Sequence, residues 1–394
     1  MKSTSKPCVR LRRFLALSLL VTMGPSLAAA QKPKLPRPRI LEHEIPLSRD
    51  PSTGELRAYP SGESESGFPN AAPVIRSRVA LVEVQCTVTA PDGTRARGLT
   101  RDDFRLWEDG IEQKVSSFDA AFSPASIALV FDASPSIYRE LGTMRNVAQS
   151  LAGSLKPEDE VAVAAFAGET HLLLPFSRDR NLLQAALTSP ELAQVANSSQ
   201  SFIYQAVYLS AAGLFKDRVG RKAIVLLTDG QDSGLGLTWE PASMVPSQGA
   251  NSPLAFQDVA RGIAGRGIEL YVISTEPRPR TMTDAWLSAH REEPLVTASA
   301  RSSGLPVYTL YLAELTRQVG GELYFLREVG SLAQIYHTIA LKLEAEYTLG
   351  YYPSAGVAAP GWRKLKVALR EGAQVPANSQ ITHRTAYYVP AAPR

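Results

Sequence analysis

The chain has 394 residues, 42 of them Lys or Arg and 38 Asp or Glu, for a formal net charge of +4. That length exceeds what one hydrophobic core usually serves, and an apolar fraction of 44% argues against overall disorder, so two folded units with tails are expected. The basicity is local: Lys2, Lys6, Arg10, Arg12 and Arg13 precede every acid, and losing these five of 42 cations against 38 acids leaves −1, which argues against nucleic acid as a partner.

The first thirty residues read as a secretory signal: the basic stretch, an apolar run from Phe14 to Val21, and Leu27-Ala28-Ala29-Ala30 as a small-residue cleavage site. The run is short for a bilayer-spanning helix and Gly24-Pro25 interrupts it, so we expect cleavage after Ala30, export to the periplasm or beyond, and no stable membrane span afterwards. Cys8 leaves with this segment. Cys86 shares one face of a strand pattern with Val82, Val84 and Val88, so no intramolecular disulfide is expected and the thiol reads as core.

Residues 31–73, rich in Pro, Ser, Gly and charge and opening with Lys32-Pro33-Lys34-Leu35-Pro36-Arg37-Pro38, read as a flexible tether. Residues 74–122 follow with β chemistry: alternation from Arg78 to Thr89, a turn at Pro91-Asp92-Gly93, the run Phe104-Arg105-Leu106-Trp107 and a turn at Asp109-Gly110.

The pattern changes at Ile127. Ile127 to Phe131 is apolar without alternation, as a strand covered on both faces should be. Val161–Phe166, Ala223–Leu227 and Ile268–Ile273 are further strands of this kind, separated by helical patterns such as Ile137, Leu141, Met144, Val147, Ala148 and Leu151. Residues 123–345 are therefore expected to form an α/β domain with a doubly wound, mostly parallel sheet. His171–Phe176 follows its predecessor too closely for a crossover and should be an antiparallel edge strand. Ser233–Ser252 and Glu276–Leu305 read as long loops. After a last helix near Ser331–Ala345, alternation returns in Tyr347, Leu349 and Tyr351, in Leu365, Val367 and Leu369, and around Tyr387. Residues 346–390 should thus join 74–122 in one flanking β-sandwich-like domain, at the pole where parallel strands begin.

The chemistry gathers where those strands end. Asp132-Ala133-Ser134-Pro135-Ser136 follows the first central strand, and Asp229-Gly230 follows Ile224 to Thr228; Ser201 opens the helix Phe202–Phe215. Two carboxylates and three hydroxyls make an all-oxygen site, suited to a hard divalent ion such as Mg²⁺. Neutral hydroxyls leave such an ion electrophilic, with a position for a partner's carboxylate.

Here the sequence resembles the von Willebrand factor A family, from about Pro124 to Ala345, and its metal-ion-dependent adhesion site in particular. The resemblance implies Ser134 and Ser136 as direct ligands, Asp132 and Asp229 acting through water, and a middle ligand that is normally Thr. Gln200-Ser201-Phe202-Ile203-Tyr204-Gln205-Ala206 is similar to that segment with Ser201 in place of Thr, and Ser198 and Ser199 are neighbouring alternatives. The implied ion is Mg²⁺, Mn²⁺ or Ca²⁺, and the implied partner a protein that supplies an acidic side chain. Leu99-Thr100-Arg101-Asp102-Asp103-Phe104, Trp107-Glu108-Asp109-Gly110, Gly350-Tyr351-Tyr352-Pro353 and Trp362-Arg363-Lys364-Leu365 resemble the β regions flanking such domains in a secreted subfamily of acidobacterial type.

No enzyme is expected. The chain has no Gly-x-Ser-x-Gly elbow, no Walker loop and no zinc-protease motif, since His43-Glu44 runs into Ile45-Pro46-Leu47; His171 and His337 read as structural. The alternatives at this point are a metal-free scaffolding module of the cell envelope and a metal-dependent hydrolase.

Overall fold

The computed structural model describes residues 33–44, 47–49, 56–58, 81–92, 94–120, 124–137, 155–195, 200–218, 220–235, 254–290, 306–326, 347–354 and 361–389, with single positions between them. The expected signal segment, Ser198, Ser199, His337, most of the helical pattern after Ile137 and most of Ser233–Ser252 lie outside the described residues.

In chain order the strands are β1 (Arg39–Ile40), β2 (Leu47–Arg49), β3 (Leu56–Ala58), β4 (Val82–Thr89), β5 (Phe104–Glu108), β6 (Ile111–Gln113), β7 (Val115–Asp119), β8 (Ala125–Asp132), β9 (Glu160–Phe166), β10 (Thr170–Ser177), β11 (Arg221–Thr228), β12 (Ile268–Ser274), β13 (Gly321–Phe325), β14 (Tyr347–Tyr351), β15 (Gly361–Leu369), β16 (Gln380–His383) and β17 (Ala386–Val389). The helices are α1 (Leu41–Glu44), α2 (Arg180–Leu187), α3 (Pro190–Gln194), α4 (Ile203–Leu214), α5 (Phe256–Ala264), α6 (Asp284–Ala289) and α7 (Val307–Val319).

The central sheet has the order β1-β10-β9-β8-β11-β12-β13. From β9 through β13 the neighbours run parallel, whereas β10 and β1 are antiparallel additions. All eight residues of β8 are buried because helices cover both faces, which explains its unalternating apolar sequence. Its side chains still divide by parity. Ala128 and Val130 face α4, α5 and α7, where Ala162 and Ala164 complete a wall of small residues against the largely buried α4. Ile127, Leu129 and Phe131 face α2 and the residues Ile335 and Ile339 of the last helical stretch. At the start of β13, Gly321 has φ +125, and a Cβ there would lie 2.1 Å from Leu270 O, so only glycine fits.

The flanking strands form two further four-stranded sheets, β16-β4-β14-β7 and β17-β15-β5-β6. Each draws on chain from before and after the α/β domain: Tyr347 of β14 pairs with Cys86 of β4, and Leu365 of β15 with Glu108 of β5. Between them Val84, Cys86, Val88, Leu106, Leu349 and Val367 make a separate core. Cys86 is a free, buried thiol whose pKa burial pushes up to about 12, fitting its reading as core. Asp109 (φ 48) and Gly110 (φ 83) turn β5 into β6 with the left-handed pair that a tight hairpin requires. Glu108, buried in this domain, accepts hydrogen bonds from the Tyr351 and Tyr387 hydroxyls, so its carboxylate is satisfied.

Three expectations need correction. The stretch read as a tether contributes β1, which pairs with β10, and α1, whose Leu41 is 0% exposed in the core; the Glu42 carboxylate accepts the Thr170 N–H at 3.0 Å. A two-residue strand and a four-residue helix are too short to show periodicity. For the same reason β10 is antiparallel but not the edge strand, since β1 lies outside it. Finally, the segment read as a long loop from Glu276 contains α6, N-capped by the Thr283 hydroxyl. α7 and β13 follow it in the chain.

Candidate metal centre at the strand ends

The parallel strands deliver the site residues to one edge. β8 ends on Asp132 and β11 on Thr228, one residue before Asp229. Backbone bonds fix the loops leaving this edge: Ala133 N–H donates to Phe166 O at 2.7 Å and Phe202 N–H to Ala167 O at 3.1 Å, so Ser201 is carried to the mouth of β8 and β9.

Asp132 is the hub. It is 0% exposed; Oδ1 accepts the Ser134 N–H at 2.9 Å, while Oδ2 accepts the Ser201 hydroxyl at 3.1 Å and the Thr228 hydroxyl at 2.7 Å. Ser134 Oγ and Ser136 Oγ lie 3.1 Å apart. Asp229, also buried, accepts the Gln231 N–H on Oδ1 at 2.9 Å, and Gly230 turns the chain behind it with φ +89. All five residues named from the sequence, Asp132, Ser134, Ser136, Ser201 and Asp229, thus stand in the loops at this one edge.

Burial pushes the Asp132 carboxyl up to about 6, outweighing the hydrogen bonds from Ser134 and Thr228, and the charge of Asp229 adds to the rise. Two buried carboxylates at this edge form an environment that favours a bound positive ion.

The donor chemistry fits a small hard cation. Neighbouring ligands of an octahedral Mg²⁺ held at about 2.1 Å stand about 3 Å apart, which is the spacing of the Ser134 and Ser136 oxygens. Among the described residues no group of three or more His, Cys, Asp or Glu has metal-holding geometry; the oxygens here are mainly hydroxyls.

Sequence reasoning missed three contributors. Thr228 holds Asp132 and was legible only as a polar residue ending an apolar strand. Ser233 brackets Ser201 reciprocally, its Oγ accepting the Ser201 N–H at 3.2 Å and its own N–H donating to Ser201 O at 2.7 Å. Asp232 accepts the N–H groups of Gly234 and Leu235 at 2.9 and 2.7 Å, folding the loop after β11; burial raises its pKa against these bonds and those from the first turn of α4.

Residues 127–231, from β8 through Asp229, match the model of the von Willebrand factor type A domain. The chain carries a von Willebrand factor type A domain. Several solved structures are similar at low identity. An aerotolerance-related membrane protein from Bacteroides fragilis NCTC 9343 is 16% identical, over 56% of this chain and 98% of that one, with a TM-score of 0.38. The conserved hypothetical protein BatB from Bacteroides thetaiotaomicron is 17% identical over 56% and 98%, with a TM-score of 0.39. The SpRpn10 VWA domain is 9% identical over 54% and 94%, with a TM-score of 0.35. No curated protein sequence matches the chain. The type A domain accounts for the mixed α/β architecture; the antiparallel sheets are additions to it.

Proposed function

We propose that this is an exported, non-enzymatic binding protein that uses its type A domain to hold a divalent cation and, through it, another protein. The observation that carries this reading is the Asp132 hub: one buried carboxylate that accepts the Ser134 backbone N–H and the Ser201 and Thr228 hydroxyls, and so ties together the loops that carry the candidate ligands. Ser134, Ser136 and Ser201 would hold the ion directly, with Asp132 and Asp229 behind water. Mg²⁺ bound by so many neutral oxygens would keep enough positive charge to take a carboxylate from the partner.

Export rests on the signal-like first thirty residues, and among the described residues no helix is long and apolar enough to cross a membrane. The flanking β segments fit a secreted subfamily of acidobacterial type by their motifs.

Calorimetry with Mg²⁺ and Mn²⁺ on the wild type and on Asp132→Ala tests the metal assignment. We expect saturable binding that the substitution abolishes; equal heats from both proteins would overturn it. Pull-down from native envelope in Mg²⁺ against EDTA tests the partner, and capture that survives EDTA would favour a metal-free scaffold.

A further inference from the structure

The sandwich and the α/β domain meet at the pole opposite Asp132, where β12 and β13 begin. Their contact is incomplete and leaves a partly open cavity of about 330 Å³. That volume lies within the range of pockets that hold small organic ligands and far above the ~30 Å³ a water occupies. Its walls come from both sides, with Thr87, Thr89, Arg95 and Arg384 from the sandwich and Glu269 and Tyr271 from β12.

Arg384 is the chemical centre of this cavity. Gly320, at φ +80, permits an approach so close that a Cβ there would stand 3.1 Å from the Arg384 Cβ. The guanidinium donates through Nη2 to Glu83 O and lies 5.5 Å from the centroid of the Tyr387 ring. Its Nε is sealed from solvent and has no hydrogen-bond partner. Burial lowers the Arg384 pKa, against the opposing pull of Tyr351 and Glu269. A guanidinium held this far out of water carries a desolvation cost that a negative charge in the adjoining cavity would offset.

Arg317, which also lines the cavity, is already paired with Glu314 at 2.5 Å, and the Glu269 carboxylate accepts the Tyr271 hydroxyl at 2.8 Å, so the anion-binding role falls to the Arg384 guanidinium. His383 offers no donor, since Nδ1–H donates to Arg384 O at 2.7 Å and Nε2 accepts the Val367 N–H at 3.1 Å.

We infer that this interdomain cavity binds a small organic carboxylate, which takes hydrogen bonds from Arg384 and the threonine hydroxyls and lays its apolar body beside Tyr271. Because both domains supply walls, the ligand ties the sandwich to the base of the α/β domain.

The test is calorimetry and thermal unfolding of the full chain with benzoate, malonate and inorganic phosphate in metal-free buffer, which keeps the Asp132 site out of the measurement. Benzoate or malonate should bind saturably and raise Tm. Arg384→Gln, and Thr382→Phe, which adds bulk at another residue lining the cavity but keeps the guanidinium, should each weaken binding at least tenfold; Asp132→Ala should not. Absence of saturable binding, or wild-type affinity in both cavity variants, would overturn the proposal and leave a cavity that holds water only. Phosphate binding more tightly than either carboxylate would overturn the ligand assignment.

Discussion

Thr228 and Asp132 meet across the β8–β11 pair: the Thr228 hydroxyl donates to Asp132 Oδ2 at 2.7 Å while its oxygen accepts the Gly230 N–H at 2.9 Å. One side chain therefore holds the hub carboxylate and starts the turn that presents Asp229. Thr228→Val keeps the shape but removes both bonds. It should cost about 1–3 kcal/mol of stability, the range for leaving a buried polar group unmatched, and should weaken Mg²⁺ binding. Thr228→Ser should restore most of both. Urea unfolding and calorimetry would check this, and a Val variant with wild-type metal affinity would remove Thr228 from the site.

Ser201 gives a second handle on the same edge. It is buried, and its hydroxyl lies 3.1 Å from Asp132 Oδ2. Ser201→Thr keeps the oxygen and adds a methyl that stiffens χ1, so a ligand rotamer is held before the ion arrives. Restricting one rotor by ~0.5 kcal/mol corresponds to a roughly twofold gain in metal affinity. Weaker binding by the Thr variant would mean that the pocket is shaped for serine.

The residues of this site were legible because carboxylates and hydroxyls at the ends of long apolar strands stand out against their surroundings. The sandwich was legible for a similar reason: alternation in Val82 to Val88 and in Tyr347 to Tyr351 exposes its period over several residues. β1 and α1 span six residues between them and bury Leu41 through tertiary contact alone, so no local pattern marks them. Thr228 and Ser233 act through partners distant in sequence, Asp132 and Ser201, and only the parallel register of β8 and β11 brings the first of these pairs together.

His383 makes the sandwich sensitive to acid. Burial is the main cause of its lowered pKa, and its Nε2 accepts the Val367 N–H, a bond that links β16 to β15 and requires the neutral ring. The unfolded chain therefore takes up a proton near pH 6.5 while the folded one resists it, so stability is full above that value and falls as the pH drops below it. The slope from this group is at most ~1.4 kcal/mol per pH unit. Unfolding midpoints at pH 7.5 and 5.5 should separate more for the wild type than for His383→Gln, and equal separations would exclude His383 as the acid-sensitive group.

The last helical stretch connects the sheet to the sandwich. Ile335 and Ile339 are buried on the Ile127, Leu129 and Phe131 face of the central sheet, and Thr338 lines the interdomain cavity. A few residues later Tyr347 anchors β14: its hydroxyl donates to Ala96 O at 2.8 Å and accepts the Leu99 N–H at 3.3 Å, and its ring stacks on Phe118 at 5.9 Å. Any movement of the Ile335–Ile339 stretch against β8 would pull on this anchor. The same β8 carries Asp132 at its other end, so a cation that draws in the loops there acts on the strand against which Ile335 and Ile339 pack. We expect Mg²⁺, compared with EDTA, to slow amide exchange around Asp132, Ser201 and Asp229 and also to change exchange in Tyr347–Tyr351. Ile339→Ala, which loosens the packing between that stretch and the sheet, should reduce the distant change while leaving the local protection in place. Protection confined to the metal edge in the wild type would make the domain a rigid binder and exclude the coupling.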